Sequence, residues 1–301
     1  MGKYAVIDLG TNTFHLLIVK AGPQGELVEL DRERRFVKLA EEGIETIGQA
    51  AYSRGIQAIS DFREVLADMD VDQVRAFGTA ALRTASNGPD FIRDIKNNTG
   101  IEVQMISGAE EARLIHLGVM QALPALSKPS LIMDIGGGSV EFILADDYQV
   151  HWAESFPLGV AVLYKEFHHS DPISTVEVEL VREHLAEVLV PLREAILHYP
   201  PQLLIGASGT FDVLEDVLAP GRAHPLHARL PASDFYPFFR KLLPTSVAER
   251  LALPEVPAAR ADMIIVALIL VDYVLNLAPF REIVVSHYAM KEGMLAELMK
   301  G

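Results

Sequence analysis

The chain has 301 residues, half of them apolar, and a formal net charge of −15. That length suits two domains, and the acidic surplus excludes a general nucleic-acid binder, which needs a basic face to neutralise phosphates. There is no cysteine, which excludes disulfides, thiolate metal sites and cysteine nucleophiles.

The N-terminus turns apolar after Lys3, but Asp8 and Gly10 interrupt the run too early for a secretory signal. The most apolar later run, residues 263–271, is far shorter than the roughly 20 residues that span a membrane. A soluble, cytoplasmic protein with no membrane partner and no nucleic-acid partner is expected. Residues 5–18 read as strand, tight turn and returning strand, with Asp8 entering the turn and Gly10, Thr11 and Asn12 forming it. Residues 27–39 carry Arg32, Arg34, Arg35 and Lys38, mostly a solvated strand face, with one or two available to line a polyanion path.

Ile56, Ile59, Phe62 and Leu66 recur at helical spacing and predict an amphipathic helix over 45–68. Residues 74–77 form a short strand that leads through Gly78 into a helical segment bearing Arg83. Ligands collect at such junctions in α/β sheets, so Arg83 is either a fork for a phosphate or a surface arginine; spacing leaves both open. Residues 90–98 predict a helix stopped by Gly100, and 101–106 a strand. Ser107 with Glu110 three residues on makes a capping box for a helix to about Leu123. Glu111 projects roughly 100° away around that helix and is not needed for the cap. Spacing alone favours a solvated glutamate; facing a phosphate cleft, it is a general base.

Residues 123–129 are turn-rich and mark a crossing between halves, with a boundary near Gln121. Residues 131–144 then repeat the opening hairpin without a gap: Asp134 falls on Asp8, Gly136 on Gly10, Ser139 on Thr13 and Glu141 on His15. Gly136, Gly137 and Gly138 remove the Cβ atoms that would block an anion and let successive N–H groups converge. Asp134 and Glu141 offer hard oxygens of the kind that hold Mg2+ against phosphate. A single hairpin of this kind is ordinary; the matched pair predicts two related halves whose loops grip a phosphate chain from both sides.

The hairpin continues to Ser155, a helix starts at Gly159, and Ser174 caps a long amphipathic helix to about His198. His168, His169 and His184 lack ligand spacing and read as surface or helix-end residues. Residues 203–211 run a buried strand into a small-residue loop and a helix, where Ser208, Gly209 and Thr210 suit a third anion site. Residues 219–231 read as a loop, and Phe235, Phe238 and Phe239 as core or as a subunit contact that makes a homodimer possible. Residues 257–277 predict a buried helix, 282–286 a strand and 288–300 a closing helix. The expected division is an N-terminal lobe over 1–121, with 287–301 packed on it, and a C-terminal lobe over 122–286, hinged at the two crossings.

Six stretches, in this order, resemble the exopolyphosphatase and guanosine pentaphosphate phosphohydrolase family, in the superfamily of actin, sugar kinases and heat-shock chaperones. They are residues 8–12, 79–87 with Arg83, 107–112, 134–141, 206–210, and 283–286 with 291–293. The resemblance implies an α/β, two-lobed actin-like ATPase-type fold, each lobe a ribonuclease-H-like mixed sheet flanked by helices. It implies release of terminal phosphate from polyphosphate or guanosine pentaphosphate with Mg2+.

By the same matching, Glu111 falls on the catalytic base, and Asp134 and Glu141, helped by Asp8, on the residues of the metal and attacking water. Thr11, Asn12, Arg83, Gly137, Gly138 and Ser139 fall on phosphate-gripping positions, beside Gly10, Gly136, Ser208, Gly209 and Thr210 in the same loops. The chain departs from the pattern over residues 260–266, where many members have a Pro-Gly-Gly turn after the Ala-Asp and this chain has bulky β-branched residues, and this argues against a nucleoside pocket in the usual place. It also ends where the two-lobed core of longer members ends, which argues against processive handling of very long polyphosphate. Rival expectations are preference for guanosine pentaphosphate, a non-catalytic sensor, a kinase and an actin-like filament former.

Overall fold

The opening apolar runs form a hairpin, β1 (Lys3–Leu9) and β2 (Thr13–Ala21), and β3 (Leu27–Phe36) extends it as a third antiparallel strand. The computed structural model describes residues 2–23, 26–126, 128–221 and 224–299. Helix α1 (Gln49–Asp68) buries Ile59, Phe62 and Leu66 and returns the chain to β4 (Gln73–Gly78), which pairs parallel with β1. The helix begins later than its periodicity predicts, because Gly48 is extended and the Asn87 side chain holds both backbone groups of Ile47.

Helices α2 (Ala80–Thr84) and α3 (Gly88–Thr99) follow, and Gly100 ends α3 in the left-handed conformation that suits glycine. Strand β5 (Val103–Met105) is shorter than expected. Ser107 caps α4 (Gly108–Ala122) by accepting from the Glu110 amide, but only half of the predicted box forms. The Glu110 carboxylate is taken by Arg113 instead.

The second half repeats the plan. Strands β6 (Ser130–Ile135), β7 (Val140–Ala145) and β8 (Val150–Phe156) make an antiparallel meander, followed by α5 (Val160–Phe167). The long helix predicted up to His198 is two, α6 (Thr175–Val188) and α7 (Val190–His198). Pro191 explains the break, since it fits the first turn of a helix and not its interior. Strand β9 (Leu204–Ala207) joins β6 in parallel and leads into α8 (Gly209–Leu218).

The predicted loop over 219–231, of which 222 and 223 lie outside the described residues, contains a strand, β10 (His227–Pro231). Helix α9 (Ala232–Leu242) buries Phe235, Phe238 and Phe239 in the core, so those rings offer no subunit contact and the homodimer expectation loses its ground. After α10 (Val247–Leu251), the predicted helix over 257–277 is confined to α11 (Ile264–Leu275), because Pro257 opens a separate tight turn before it. Strand β11 (Glu282–Ser286) pairs with β9 and β10. The chain closes with α12 (Met290–Leu298); residues 300 and 301 of the predicted closing helix lie outside the described residues.

The sheet orders are β3-β2-β1-β4-β5 and β10-β11-β9-β6-β7-β8. Each is a meander whose first strand is continued by parallel strands, with β10 added antiparallel at one edge of the second sheet, the mixed α/β architecture that the family resemblance implies. One apolar cluster covers each sheet, and a third lies between them, where Val6, Leu17 and Phe77 meet Ile132, Ile143 and Ile205. Helices α4 and α12 cross within it, and α12 also packs on β1. The crossing is close enough to need glycine: a Cβ on Gly118 would lie 1.8 Å from the Ala289 carbonyl oxygen, and one on Gly293 1.9 Å from that of Leu114. Among the described residues no helix is long and apolar enough to cross a membrane.

Candidate active site

The two glycine turns face each other across a cleft of about 410 Å³. They touch at its base, where a Cβ on Gly137 would come within 2.9 Å of the Thr11 and Asn12 side chains and one on Gly138 within 2.6 Å of Thr11 Oγ1. The first turn is pinned from behind: the amides of Val37 and Lys38 donate to the Asn12 carbonyl, and the Ala81 amide donates to Thr11 Oγ1.

Strand register carries the repeat further than the sequence shows. Asp8 lies opposite His15, and His15 opposite Arg34; Asp134 lies opposite Glu141, and Glu141 opposite Ser155. Cross-strand partners share a face of the sheet, so each half presents a row of three side chains, one ending in Arg34 and the other in Ser155.

The cleft brings together nearly all of the residues singled out in the sequence. Asp8, Asp134, Glu141 and Glu111 line it. So do Gly10, Thr11 and Asn12 of the first turn and Gly136, Gly137, Gly138 and Ser139 of the second. Ser208, Gly209 and Thr210, at the start of α8, complete a third side. Arg83 is the exception: its side chain lies outside the cleft lining, and its Nη1 donates to Glu111 Oε2 at 2.9 Å and to the Ile106 carbonyl at 2.9 Å. Of the two readings open for it, the structure favours neither a free phosphate fork nor a surface arginine; it is the partner of Glu111.

Glu111 itself is buried, not the solvated glutamate that spacing alone favours. Burial pushes its carboxyl up to about 7, Asp8 and Asp134 push the same way, and the charge and hydrogen bond of Arg83 oppose them. Asp8 is likewise raised to about 7, by burial first and then by Asp134 and Glu292, against the pull of Lys291. Burial raises Asp134, with Ser208 and Lys291 opposing. Glu141 is raised well above the usual range by burial and by the charges of Glu111 and Asp134, while Ser155 and Ser139 hydrogen-bond it and oppose the rise.

Four acids crowded in one cleft create a local demand for positive charge. No three His, Asp or Glu side chains among the described residues form a ready cage, but Mg2+ asks for one or two carboxylates and takes its remaining oxygens from water and phosphate. Asp8, Asp134 and Glu141 therefore fit such an ion.

The cleft also holds cations that the sequence reading passed over or mentioned only in passing. Arg32, Arg34, Arg260 and Lys291 line it together with His15. Arg32 is paired with Glu29 and Glu292. Arg34, Arg260 and Lys291 have no carboxylate within ion-pair distance among the described residues. Burial, then Lys291, Arg34, Arg260 and Arg32, hold His15 well below its ordinary value, so it faces the cleft as a neutral imidazole. The signal for Arg34 was its register with His15, which a sequence without pairing information does not carry. Arg260 packs over the start of α8, where a Cβ on Gly209 would meet its guanidinium. At the rim, Lys38 Nζ pairs with Asp262 at 2.6 Å, and Asn12 Nδ2 lies 3.5 Å from Met263 Sδ.

The family model of the Ppx/GppA phosphatase family matches residues 17–301. A solved exopolyphosphatase from Cytophaga hutchinsonii is 38% identical, with 99% of this chain and 98% of that one covered and a TM-score of 0.95. A Ppx/GppA family member from Aquifex aeolicus is 24% identical over 99% of this chain and 98% of its own, with a TM-score of 0.81, a likeness of fold. The chain belongs to the Ppx/GppA phosphatase family.

Proposed function

We propose that the protein releases terminal orthophosphate from inorganic polyphosphate by attack of water, with Glu111 as general base. The observation that carries this reading is the meeting, within one cleft, of a buried Glu111 whose carboxyl is pushed up to about 7 with Arg34, Arg260 and Lys291, which have no carboxylate within ion-pair distance among the described residues. A base with that affinity for protons is matched to water activation near neutral pH. The Arg83 hydrogen bond fixes the Glu111 carboxylate through Oε2, leaving Oε1 free to take the proton.

Water attacks the terminal phosphorus, the bond to the bridging oxygen breaks, and the shortened chain leaves as a phosphate oxyanion while Glu111 holds the proton. The Gly10 and Gly136 amides close their own turns by donating to the Thr13 and Ser139 carbonyls, which leaves the backbone N–H groups of residues 11–12 and 137–139 to meet the phosphoryl oxygens where charge develops. Mg2+, held by Asp134 and Glu141 with help from Asp8, would neutralise charge on the transferring group. Arg34, Arg260 and Lys291, which line the same cleft, would hold the remaining phosphates.

Preference for polyphosphate over guanosine pentaphosphate is supported by Met263, which lies against Asn12 and lines a neighbouring pocket of only about 30 Å³, too small for a nucleoside. It is also supported by the 38% identity to an exopolyphosphatase over nearly the whole chain. The test is phosphate release from short polyphosphate, long polyphosphate and guanosine pentaphosphate, each with and without Mg2+. Release from short polyphosphate that depends on Mg2+ is expected. Release from the nucleotide alone, or tight binding with no release from any of them, would overturn the reading.

A further inference from the structure

Each meander contributes a third residue to the rows that face the cleft, and in the second sheet that residue is Ser155. Its Oγ donates to Glu141 Oε1 at 2.6 Å. On its other side it touches the first residue of α4: a Cβ built on Gly108 would lie 2.5 Å from Ser155 Cβ and 2.7 Å from Oγ. Helix α4 packs along β8 and carries Glu111 in its first turn. Ser155 is therefore the point where the strand row of Asp134 and Glu141 meets the helix that brings Glu111 from the other half of the chain.

We propose that Ser155 is a positioning residue: its hydroxyl fixes the Glu141 carboxylate, and its contact with Gly108 sets the gap between Glu141 and Glu111. This rests on the reading of Glu141 as a holder of Mg2+ and of Glu111 as the base. The need for such a device follows from the surroundings. Glu141 and Glu111 are both buried and repel each other, and Arg83 stands nearby, its Nη2 3.8 Å from the position of a Cβ on Gly108. A carboxylate released from Ser155 finds in Arg83 a stronger, charged donor. Turning toward it, Glu141 would draw Arg83 away from Glu111 and leave both acids misplaced.

The experiment compares wild type with S155A, S155T, G108A, E141Q and the S155A/E141Q double variant. S155A keeps the Cβ against Gly108 and removes only the hydroxyl, whereas S155T keeps the hydroxyl. The readouts are kcat and KM for short polyphosphate, calorimetric binding of Mg2+ alone, and thermal midpoint. S155A is expected to lower kcat and Mg2+ affinity by about tenfold each, as loss of a partner behind a metal ligand does, with KM changed less than about twofold and the midpoint kept within about 2 °C. S155T is expected to recover most of both losses.

G108A, which presses on Ser155 without changing a polar group, should lower kcat with KM preserved. In the E141Q background S155A should cost nothing further, because the two act as one unit. Wild-type kcat and Mg2+ binding in S155A, or losses that simply multiply in the double variant, would overturn the proposal. If wild type releases no phosphate, the hydrolase reading fails, while the Mg2+ titrations of wild type, S155A and E141Q still decide whether Ser155 acts through Glu141.

Discussion

At Glu111 two effects of opposite sign meet: burial pushes the carboxyl up, and Arg83 pulls it back toward ionisation. Because the base must be ionised to accept a proton, kcat/KM should rise with pH through about 7. Replacing Arg83 with methionine removes the opposing pull, so the rise should move to higher pH by about one unit, worth about 1.4 kcal/mol at the carboxylate. A pH–rate profile of the two proteins checks both statements. An unmoved profile in R83M would place the titrating group elsewhere.

Which of these residues were legible beforehand follows from the range of the signal. Asp8, Asp134 and Glu141 sit at fixed offsets in a turn that occurs twice, so alignment of the chain with itself exposes them. The direction of Arg83 depends on the Ile106 carbonyl and on Glu111, 28 residues away, and no local pattern encodes that. Arg34 and Ser155 depend on strand register, which in β2 and β3 includes an irregularity between Ile18 and Val19.

Between elements, the crossing of α4 and α12 is the contact with least tolerance, since Gly118 and Gly293 each lie against a backbone carbonyl of the opposite helix. An alanine at Gly118 cannot be relieved by a side-chain rotation. G118A is expected to destabilise the protein by at least about 1–3 kcal/mol, the usual penalty of overpacking, and to displace α4 with its Glu111. Denaturant unfolding measures the first effect, and kcat at a temperature where the variant is folded measures the second.

The limits of reading elements from sequence were physical as well. Hydrophobic periodicity located α1 but not its start, which tertiary bonds from Asn87 to Ile47 decide. The break between α6 and α7 was written in Pro191, and apolar spacing on both sides of it concealed the break. Strand β10 alternates buried and exposed residues, yet the prolines and histidines in it and just before it read as a loop until β11 supplies a partner.

Across the whole molecule, the cleft concentrates carboxyls whose affinity for protons is higher in the folded chain than in the unfolded one. Asp8 rises from 3.8 to about 7 and Glu111 from 4.5 to about 7. The unfolded chain therefore gives up these protons first. The stability that they contribute is complete below about pH 4 and is lost as pH rises through about 7. Metal-free protein should thus melt at lower temperature at pH 8 than at pH 5. Mg2+ should raise the midpoint more at pH 8, where the acids are ionised, and a Mg2+ effect that is equal at the two pH values would argue against their holding the ion.

The measurement that bears most directly on the mechanism is phosphate release by wild type and E111Q from short polyphosphate in Mg2+, with binding of the same substrate measured alongside. The account predicts that E111Q loses about 10²–10⁴-fold in kcat, the usual share of a general base, while substrate affinity changes less than about threefold. Near-normal release by E111Q would contradict it.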